Sequence, residues 1–97
     1  MAEVIYSDAA VRDIERLFEF RAAEDPYSAS AAVAAIRNAV AMLAEHPLIG
    51  RRLEVPLREL VISFGSSGYV ALYRYRPERG EVRILAIRHQ RELDYPG

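Results

Sequence analysis

Residues 60–88, LVISFGSSGYVALYRYRPERGEVRILAIR, decide the fold. Apolar residues alternate with other residues through three segments of this stretch, and a period of two is typical of β-strands. The tetrapeptide GSSG at 65–68 separates the first two segments, and PERG at 77–80 separates the second from the third. Proline presets φ and glycine accepts a positive φ, so both separators are predicted to be tight turns. Strands joined by short turns are antiparallel neighbours, which predicts a three-stranded meander.

Strict alternation also predicts which side chains share a face of this sheet. On the second segment, residues 69–76, the tyrosines fall on one face and Arg74 and Arg76 on the other. The third segment, residues 82–88, divides in the same way into two sets: Val82, Ile84 and Ala86 against Arg83, Leu85 and Ile87. Both sets are largely apolar, as expected for an inner strand that is covered on both faces.

The sequence before this stretch changes to a helical period. Ser7 can cap a first helix with its hydroxyl, and Asp8 adds a negative charge to the first turn. This helix is predicted to end near residues 23–24, and its apolar stripe is Val11, Ile14, Leu17 and Phe18. Asp13 and Glu15 then lie on the solvent side and are interpreted as ordinary surface acids.

A second helix is predicted from Pro26 to about Glu45, because Asp25 can cap it and proline is accepted at the first helical position. Its stripe is Ala29, Val33, Ile36, Val40 and Leu43. Two helices joined this tightly form an antiparallel hairpin. With a short strand at residues 2–6 and a connector at 47–52, the predicted order is β-α-α-β-β-β. This is an α+β domain in which the hairpin packs on one face of the meander, and residues 1–97 form a single domain.

The composition is that of a folded protein. Of 97 residues, 52% are hydrophobic and 28% are charged, which excludes a disordered chain. There is no cysteine and there are only two histidines, His46 and His89, so we expect neither a disulfide nor a metal or other cofactor. No uninterrupted apolar run reaches the roughly 18 residues that cross a bilayer, so no membrane partner is expected. The absence of cysteine fits a cytoplasmic protein.

The net charge of −1 hides an asymmetry along the chain. All 13 basic residues are arginines; residues 1–50 hold four against eight acids, and residues 51–97 hold nine against six. A basic half on a nearly neutral protein favours an anionic partner, either nucleic acid or an acidic polypeptide, although a solvated sheet edge has the same composition. The candidate partner-binding residues are Arg74, Arg76, Arg83, Arg88 and Arg91.

The densest polar cluster is RHQRE at residues 88–92, where the third strand of the meander ends. His89 could act as a general acid or base near neutral pH, and arginines on either side of it could hold a phosphate or carboxylate. The alternative is structural. In that interpretation His89 is a partly buried packing residue, and the arginines pair with Glu92 and Asp94.

Three motifs, in this order, carry a resemblance to a known family. They are the connector HPLIGR at 46–51, the hairpin SSGYVALYR at 66–74 and the closing strand ILAIRHQRE at 84–92. Together with the order of elements, they resemble the RelE/ParE family, the toxins of type II toxin–antitoxin modules, also known as plasmid stabilisation proteins. The resemblance covers nearly the whole chain.

This resemblance implies one of two targets. RelE-like members cut messenger RNA on the ribosome with basic side chains on the sheet and a residue near the C-terminus, whereas ParE-like members poison DNA gyrase. The positions that carry lysines in the RelE pattern are Val61 and Ser63 here, and an arginine position is Val70. Because an apolar side chain neither neutralises a phosphate nor transfers a proton, we expect a ParE-like gyrase inhibitor.

Two alternatives stay open. One is a RelE-like ribonuclease, for which the catalytic residues would be His89, Arg91 and Tyr95; the other is a small binding module without toxicity. The resemblance also implies a cognate antitoxin, of the ribbon-helix-helix (ParD-like) type, bound in a hetero-oligomer. We expect an amphipathic helix of the antitoxin to cross the helical hairpin. An extended acidic segment should add to the sheet edge and meet the arginines of residues 74–91.

Overall fold

The computed structural model of the protein describes residues 1–92. Five strands form a mixed sheet, and two helices pack on one of its faces. The elements in chain order are β1 (Glu3–Tyr6), α1 (Asp8–Ala22), α2 (Pro26–Ala41, continued by a 3-10 turn at Met42–Ala44), β2 (Arg51–Arg52), β3 (Leu57–Phe64), β4 (Ser67–Arg76) and β5 (Glu81–His89), and a further 3-10 turn covers Gln90–Glu92.

The strand order is β1-β5-β4-β3-β2, so the predicted meander forms the centre of the sheet. β1 pairs in parallel with β5, and the other neighbours are antiparallel. The α+β class and the β-α-α-β-β-β order are confirmed, with one addition. The connector contains the two-residue strand β2, which is too short to show an alternation in the sequence.

Both predicted helix caps are present. The Ser7 hydroxyl accepts a hydrogen bond from the backbone N–H of Ala10 at 3.0 Å. The Asp25 carboxylate accepts from the N–H groups of Tyr27 and Ser28 at 3.1 and 3.2 Å. These bonds satisfy N–H groups that a helix start leaves without a partner, and they fix the tight link between α1 and α2.

The apolar stripe of α2 is confirmed, and that of α1 is confirmed only in part. Ile14 and Leu17 are buried together with Ala10, whereas Val11 is 42% and Phe18 38% exposed. The buried set follows steps of four and three residues, so it forms a narrow line along α1. Val11 and Phe18 lie on the flank of that line, where the sheet does not cover them.

The face prediction for β5 is wrong at its C-terminal end. Leu72 of β4 pairs with Ala86, but the next residue, Tyr73, pairs with Ile84, so Leu85 is an extra residue in β5. Such a β-bulge exchanges the two faces beyond it. Ile87 therefore joins Val82 and Ile84 in the core under the helices, and Ala86 lies opposite, on the face away from them.

Tyr73 fastens the connector to the core. Its side chain is fully buried, and its hydroxyl accepts from the N–H of Gly50 at 2.9 Å and donates to the carbonyl of Pro47 at 2.8 Å. A Cβ atom at Gly50 would lie 2.5 Å from the tyrosine ring, so only glycine fits there. The connector is thereby held against the sheet just before β2.

By length and composition alone, the helical stretch Pro26–Ala44 could cross a membrane, with a mean hydropathy of 1.2 over its most apolar window. This stretch contains no apolar run of 18 residues, because polar residues such as Arg37 and Asn38 interrupt it. The same property is found in core helices of globular proteins, and here Ile36, Val40 and Leu43 are buried in the core.

Candidate functional site

The face of the sheet away from the helices, called the outer face below, carries Val61, Ser63 and Val70, the positions at which the sequence departs from the RelE pattern. Val61 of β3 pairs with Val70 of β4, and Ser63 pairs with Gly68. Val61 is 55% exposed and Ser63 is also exposed, whereas Val70 is buried. At these positions the outer face therefore presents no side chain that could neutralise a phosphate or move a proton.

Three of the predicted partner-binding arginines share the outer face. Arg74 and Arg83 are direct cross-strand neighbours on β4 and β5, and Arg76 lies opposite Glu81. The Arg83 guanidinium donates to the Glu81 carboxylate at 3.1 Å. The Nε of Arg74 is buried and makes no hydrogen bond within the described part of the chain. Since like charges side by side repel each other, this patch favours an anionic partner.

Arg88 does not belong to this patch. Its guanidinium reaches round the edge of β5 to the Asp13 carboxylate of α1, and both side chains are largely buried. The same oxygen of Asp13 accepts from the backbone N–H of Ile87 at 3.0 Å. The interpretation of Asp13 as a surface acid is therefore wrong, because its carboxylate pairs with Arg88. The two acids considered for the arginines were Glu92 and Asp94; the side chain of Glu92 and the whole of Asp94 lie outside what the structure describes.

Arg91 and His89 lie on the helix side of the sheet, so the five arginines do not form one cluster. They border a cleft of about 690 Å³ between the hairpin tip and the ends of β4 and β5. Its lining combines basic, hydroxyl, acidic and apolar side chains: Arg16, Leu17, Phe20, Arg21, Glu24, Asp25, Ser28, Ser67, Tyr69, His89 and Arg91.

Arg21 organises this cleft, although its place in the last turn of α1 gave no signal for such a role. Its Nε donates to the Ser28 hydroxyl at 2.7 Å, and one terminal nitrogen donates to the Tyr69 hydroxyl at 3.1 Å. Its guanidinium also lies 4.9 Å from the centre of the Phe64 ring, in cation–π contact. Arg21 thus ties the hairpin to the sheet.

His89 is held in one orientation. Its ring packs edge-on against Tyr69 with centroids 5.4 Å apart, and its Nδ1 accepts from the backbone N–H of Arg91 at 3.1 Å. An accepting Nδ1 requires the neutral ring to carry its proton on Nε2. In this tautomer Nε2 is a hydrogen-bond donor, while the ring packs against Tyr69. Tyr95, the third candidate for a ribonuclease, lies outside the described residues.

The described residues contain no candidate metal cluster, and the two tyrosines whose pKa is raised pack in or against the core. Within residues 1–92, no cluster of three or more histidine, aspartate or glutamate side chains could hold a metal ion. Burial raises the pKa of Tyr73, partly offset by the hydrogen bond from Gly50 and the charge of Arg58. Burial likewise raises the pKa of Tyr6, against the charge of Arg37. Both tyrosines belong to the core rather than to the cleft or the outer face.

Comparison with known proteins gives consistent matches across nearly the whole chain. Residues 4–94 match the model of the family described as ParE toxin of type II toxin–antitoxin system, parDE. Toxin RelE3 of Caulobacter vibrioides is 37% identical over 92 residues, which cover 95% of this chain and 98% of that protein. Toxin RelE1 of the same organism is 35% identical over 86 residues, covering 89% and 90%.

Two solved structures share the fold. A structure of the chromosomal ParDE toxin–antitoxin system from P. aeruginosa aligns with a TM-score of 0.75 at 25% identity, covering 92% of this chain and 96% of that one. A crystal structure of the RelBE2 toxin–antitoxin complex from Mycobacterium tuberculosis aligns with a TM-score of 0.64 at 26% identity, covering 92% and 98%. The names of these relatives are divided between ParE and RelE.

Proposed function

The chain belongs to the ParE toxin family of type II toxin–antitoxin systems, and from this premise we propose that it inhibits DNA gyrase and is neutralised by a protein antitoxin. It is a toxin of the ParE/RelE superfamily, in which the RelE-like members cut RNA and the ParE-like members poison gyrase. The choice between these two activities depends on which chemical groups the outer face presents.

The outer face at Val61, Ser63 and Val70 carries this proposal. Cleavage of RNA by the 2′-hydroxyl needs a group that takes its proton and cations that stabilise charge on the scissile phosphate. Exposed valine and serine supply neither. Arg88 is the cross-strand neighbour of Val70, but its guanidinium is bound to Asp13. Arg51 is paired with Glu59 at 2.7 Å, and Arg83 is paired with Glu81.

The orientation of His89 adds a second line of support. A general base needs an unprotonated nitrogen directed at the substrate, and the Nδ1 of His89 is directed at the backbone of Arg91. A gyrase inhibitor has no need of such a base, because it acts by binding. The surface that binds the target would then include the arginine-rich outer face or the cleft that Arg21 holds together.

An antitoxin partner is supported by the solved neighbours, which are toxin–antitoxin complexes. We assign to it a ribbon-helix-helix protein of the ParD type, acting with the toxin in the cytoplasm as a hetero-oligomer. Acidic residues of this antitoxin would meet Arg74, Arg76 and Arg83. The sequence had predicted that an extended segment of the antitoxin adds to a sheet edge beside these arginines. They lie on β4 and β5, which are inner strands, so no further strand can pair beside them.

Induced expression in a bacterial host tests this proposal. A gyrase inhibitor should arrest growth and cause gyrase-dependent double-strand breaks, and coexpression of the protein encoded immediately upstream of the toxin gene should relieve both effects. Messenger RNA sequenced from the same cultures should show no codon-spaced cuts on ribosomes. Such cuts without DNA breaks would identify a ribonuclease, and undisturbed growth would identify a binding module without toxicity.

A further inference from the structure

The connector between α2 and β3 carries several exposed apolar side chains. Leu48 is 59%, Ile49 is 54% and Val55 is 70% exposed. Single exposed apolar residues are ordinary at a protein surface, whereas a group of them marks a place where a partner binds. Leu48 and Val55 line a hollow of about 430 Å³ together with Pro56 and Tyr75. This site is called the connector hollow below.

The connector hollow is separate from both surfaces described above. The cleft that Arg21 organises borders Ser67 at the start of β4, whereas the hollow borders Tyr75 and Pro77 at the other end of that strand. The hollow also differs from the arginine patch of the outer face. Its Arg58 pairs with the core residue Tyr73 and therefore lies on the helix side of the sheet.

The charges around the hollow are all positive. Within the described part of the chain, two arginines and no acid line it. These two, Arg52 of β2 and Arg58 of β3, are direct cross-strand neighbours, and like charges in that position repel each other. Neither guanidinium is paired with an acid of residues 1–92. An anion between them would offset this repulsion, so the hollow favours a carboxylate or a phosphate.

The walls of the hollow are held in place by hydrogen bonds. One terminal nitrogen of Arg58 donates to the carbonyls of Leu48 and Gly50 at 3.1 and 2.9 Å. The Nε and the second terminal nitrogen of Arg58 make no hydrogen bond to a described residue. Val55 lies in a turn with two backbone hydrogen bonds, 3.0 and 2.8 Å long, that both involve Leu57. Groups that are already fixed lose little conformational entropy when a ligand binds.

The apolar walls decide between the two kinds of anion. Leucine, valine and proline form an aliphatic surface, and at protein interfaces such pockets are filled by a large apolar side chain of the partner. Surfaces that bind single-stranded nucleic acid instead combine basic groups with several aromatic rings, and Tyr75 is the one aromatic residue among the described residues of this lining. The fitting ligand is therefore a protein segment in which a carboxylate lies next to a large apolar residue.

We propose that the connector hollow binds an acidic segment of gyrase. In this complex a carboxylate lies between Arg52 and Arg58, and a large apolar side chain of the same segment packs between Leu48 and Val55. The inference rests on the proposed function, which supplies gyrase as the target. It gives the toxin a contact with gyrase that is separate from the outer-face arginines assigned to the antitoxin.

Binding of purified gyrase to variants of the purified toxin tests the apolar part of the site. Leu48→Ser should weaken gyrase binding about 10-fold, because serine leaves the apolar side chain of gyrase without its contact. The matched control is Ile49→Ser, which changes a similarly exposed residue of the connector that does not line the hollow. It should bind gyrase within about twofold of the parent. Circular dichroism checks that both variants are folded.

The charged part of the site is tested by a second pair of variants. Arg52→Gln should weaken gyrase binding about two- to fivefold and reduce its dependence on salt, because one of the two cations is lost. Arg79→Gln is the control, since Arg79 is exposed but does not line the hollow, and it should keep the affinity and the salt dependence of the parent. Leu48→Ser and Arg52→Gln should both bind the antitoxin, the protein encoded immediately upstream of the toxin gene, as tightly as the parent.

The possible results separate this inference from the proposed function. If Leu48→Ser and Arg52→Gln bind and inhibit gyrase like the parent, the inference is wrong and the proposed function stands. If they lose affinity for the antitoxin instead, the antitoxin occupies the hollow. If the toxin binds duplex DNA without gyrase and Arg52→Gln weakens that binding, the ligand is a phosphate and the inference is again wrong. A parent toxin that neither binds nor inhibits gyrase would refute the proposed function and the inference together.

Discussion

Replacing Asp13 by alanine should destabilise the protein much more than any exposed acid of the same helix. One carboxylate oxygen of Asp13 accepts from the buried N–H of Ile87 at 3.0 Å and also from the Arg88 guanidinium. The alanine variant leaves both donors without this acceptor. It also removes the contact that joins the middle of α1 to the part of β5 that β1 does not cover.

The structure sets the size of the effect. A buried donor left without its acceptor costs about 1–3 kcal/mol. Loss of one member of a fully buried ion pair costs about 3–5 kcal/mol, but here the side chains of Arg88 and Asp13 are 17% and 15% exposed, so water reduces this part. We therefore expect Asp13→Ala to lower the free energy of unfolding by about 2–4 kcal/mol.

Urea denaturation followed by circular dichroism measures this loss. Glu15→Ala, on the exposed side of the same helix, is the control and should change the free energy of unfolding by less than about 0.5 kcal/mol. Asp13→Asn should fall between the two, because its amide oxygen still accepts from Ile87 but carries no charge for Arg88. If Asp13→Ala is as stable as Glu15→Ala, the contact with β5 does not support the fold.

Three further outcomes are expected. His89→Gln should retain the toxicity of the parent in a growth assay, because a gyrase inhibitor needs no proton transfer; complete loss of toxicity in a folded variant would indicate acid–base catalysis. The raised pKa of Tyr73 means that the folded state favours the neutral phenol, so the contribution of Tyr73 to stability should be constant below pH 10.0, the ordinary tyrosine pKa, and fall above it. Tyr73→Phe should lose about 1–3 kcal/mol at neutral pH, since Gly50 loses its acceptor, and should show a weaker alkaline decline in denaturation experiments. Replacing Arg74 and Arg83 together by glutamine should weaken antitoxin binding modestly and flatten its dependence on salt, whereas an unchanged salt slope would place the acidic residues of the antitoxin elsewhere.

The fold was predictable from the sequence where local signals agreed. Asp25 and Pro26 mark the start of α2, the turn residues mark the ends of the meander, and periodicity identifies each long element. The β-bulge at Leu85 could not be predicted in this way. Its neighbours are apolar on both faces, so a shift of one residue produces no conflict in the sequence pattern.

The site was harder to predict because it depends on contacts between distant residues. Asp13 and Arg88 are 75 positions apart, and only the packing of α1 against β5 brings them together. In the same way, Arg21 gains its role from the hairpin tip that places Ser28 and Tyr69 beside it. The sequence shows that residues 74–91 carry an excess of positive charge, but it does not show where the arginines lie. The strands distribute them over both faces of the sheet and the edge of β5.

The proposed function requires that this toxin binds gyrase and does not cut RNA. Its most direct test is a paired assay on one preparation of purified protein, in which DNA supercoiling by gyrase and cleavage of messenger RNA on translating ribosomes are followed in parallel. We predict that supercoiling is inhibited, that gyrase–DNA cleavage complexes accumulate, that the antitoxin reverses both effects, and that the messenger RNA stays intact. Unimpaired supercoiling together with codon-spaced cuts in the ribosome-bound RNA would contradict the account.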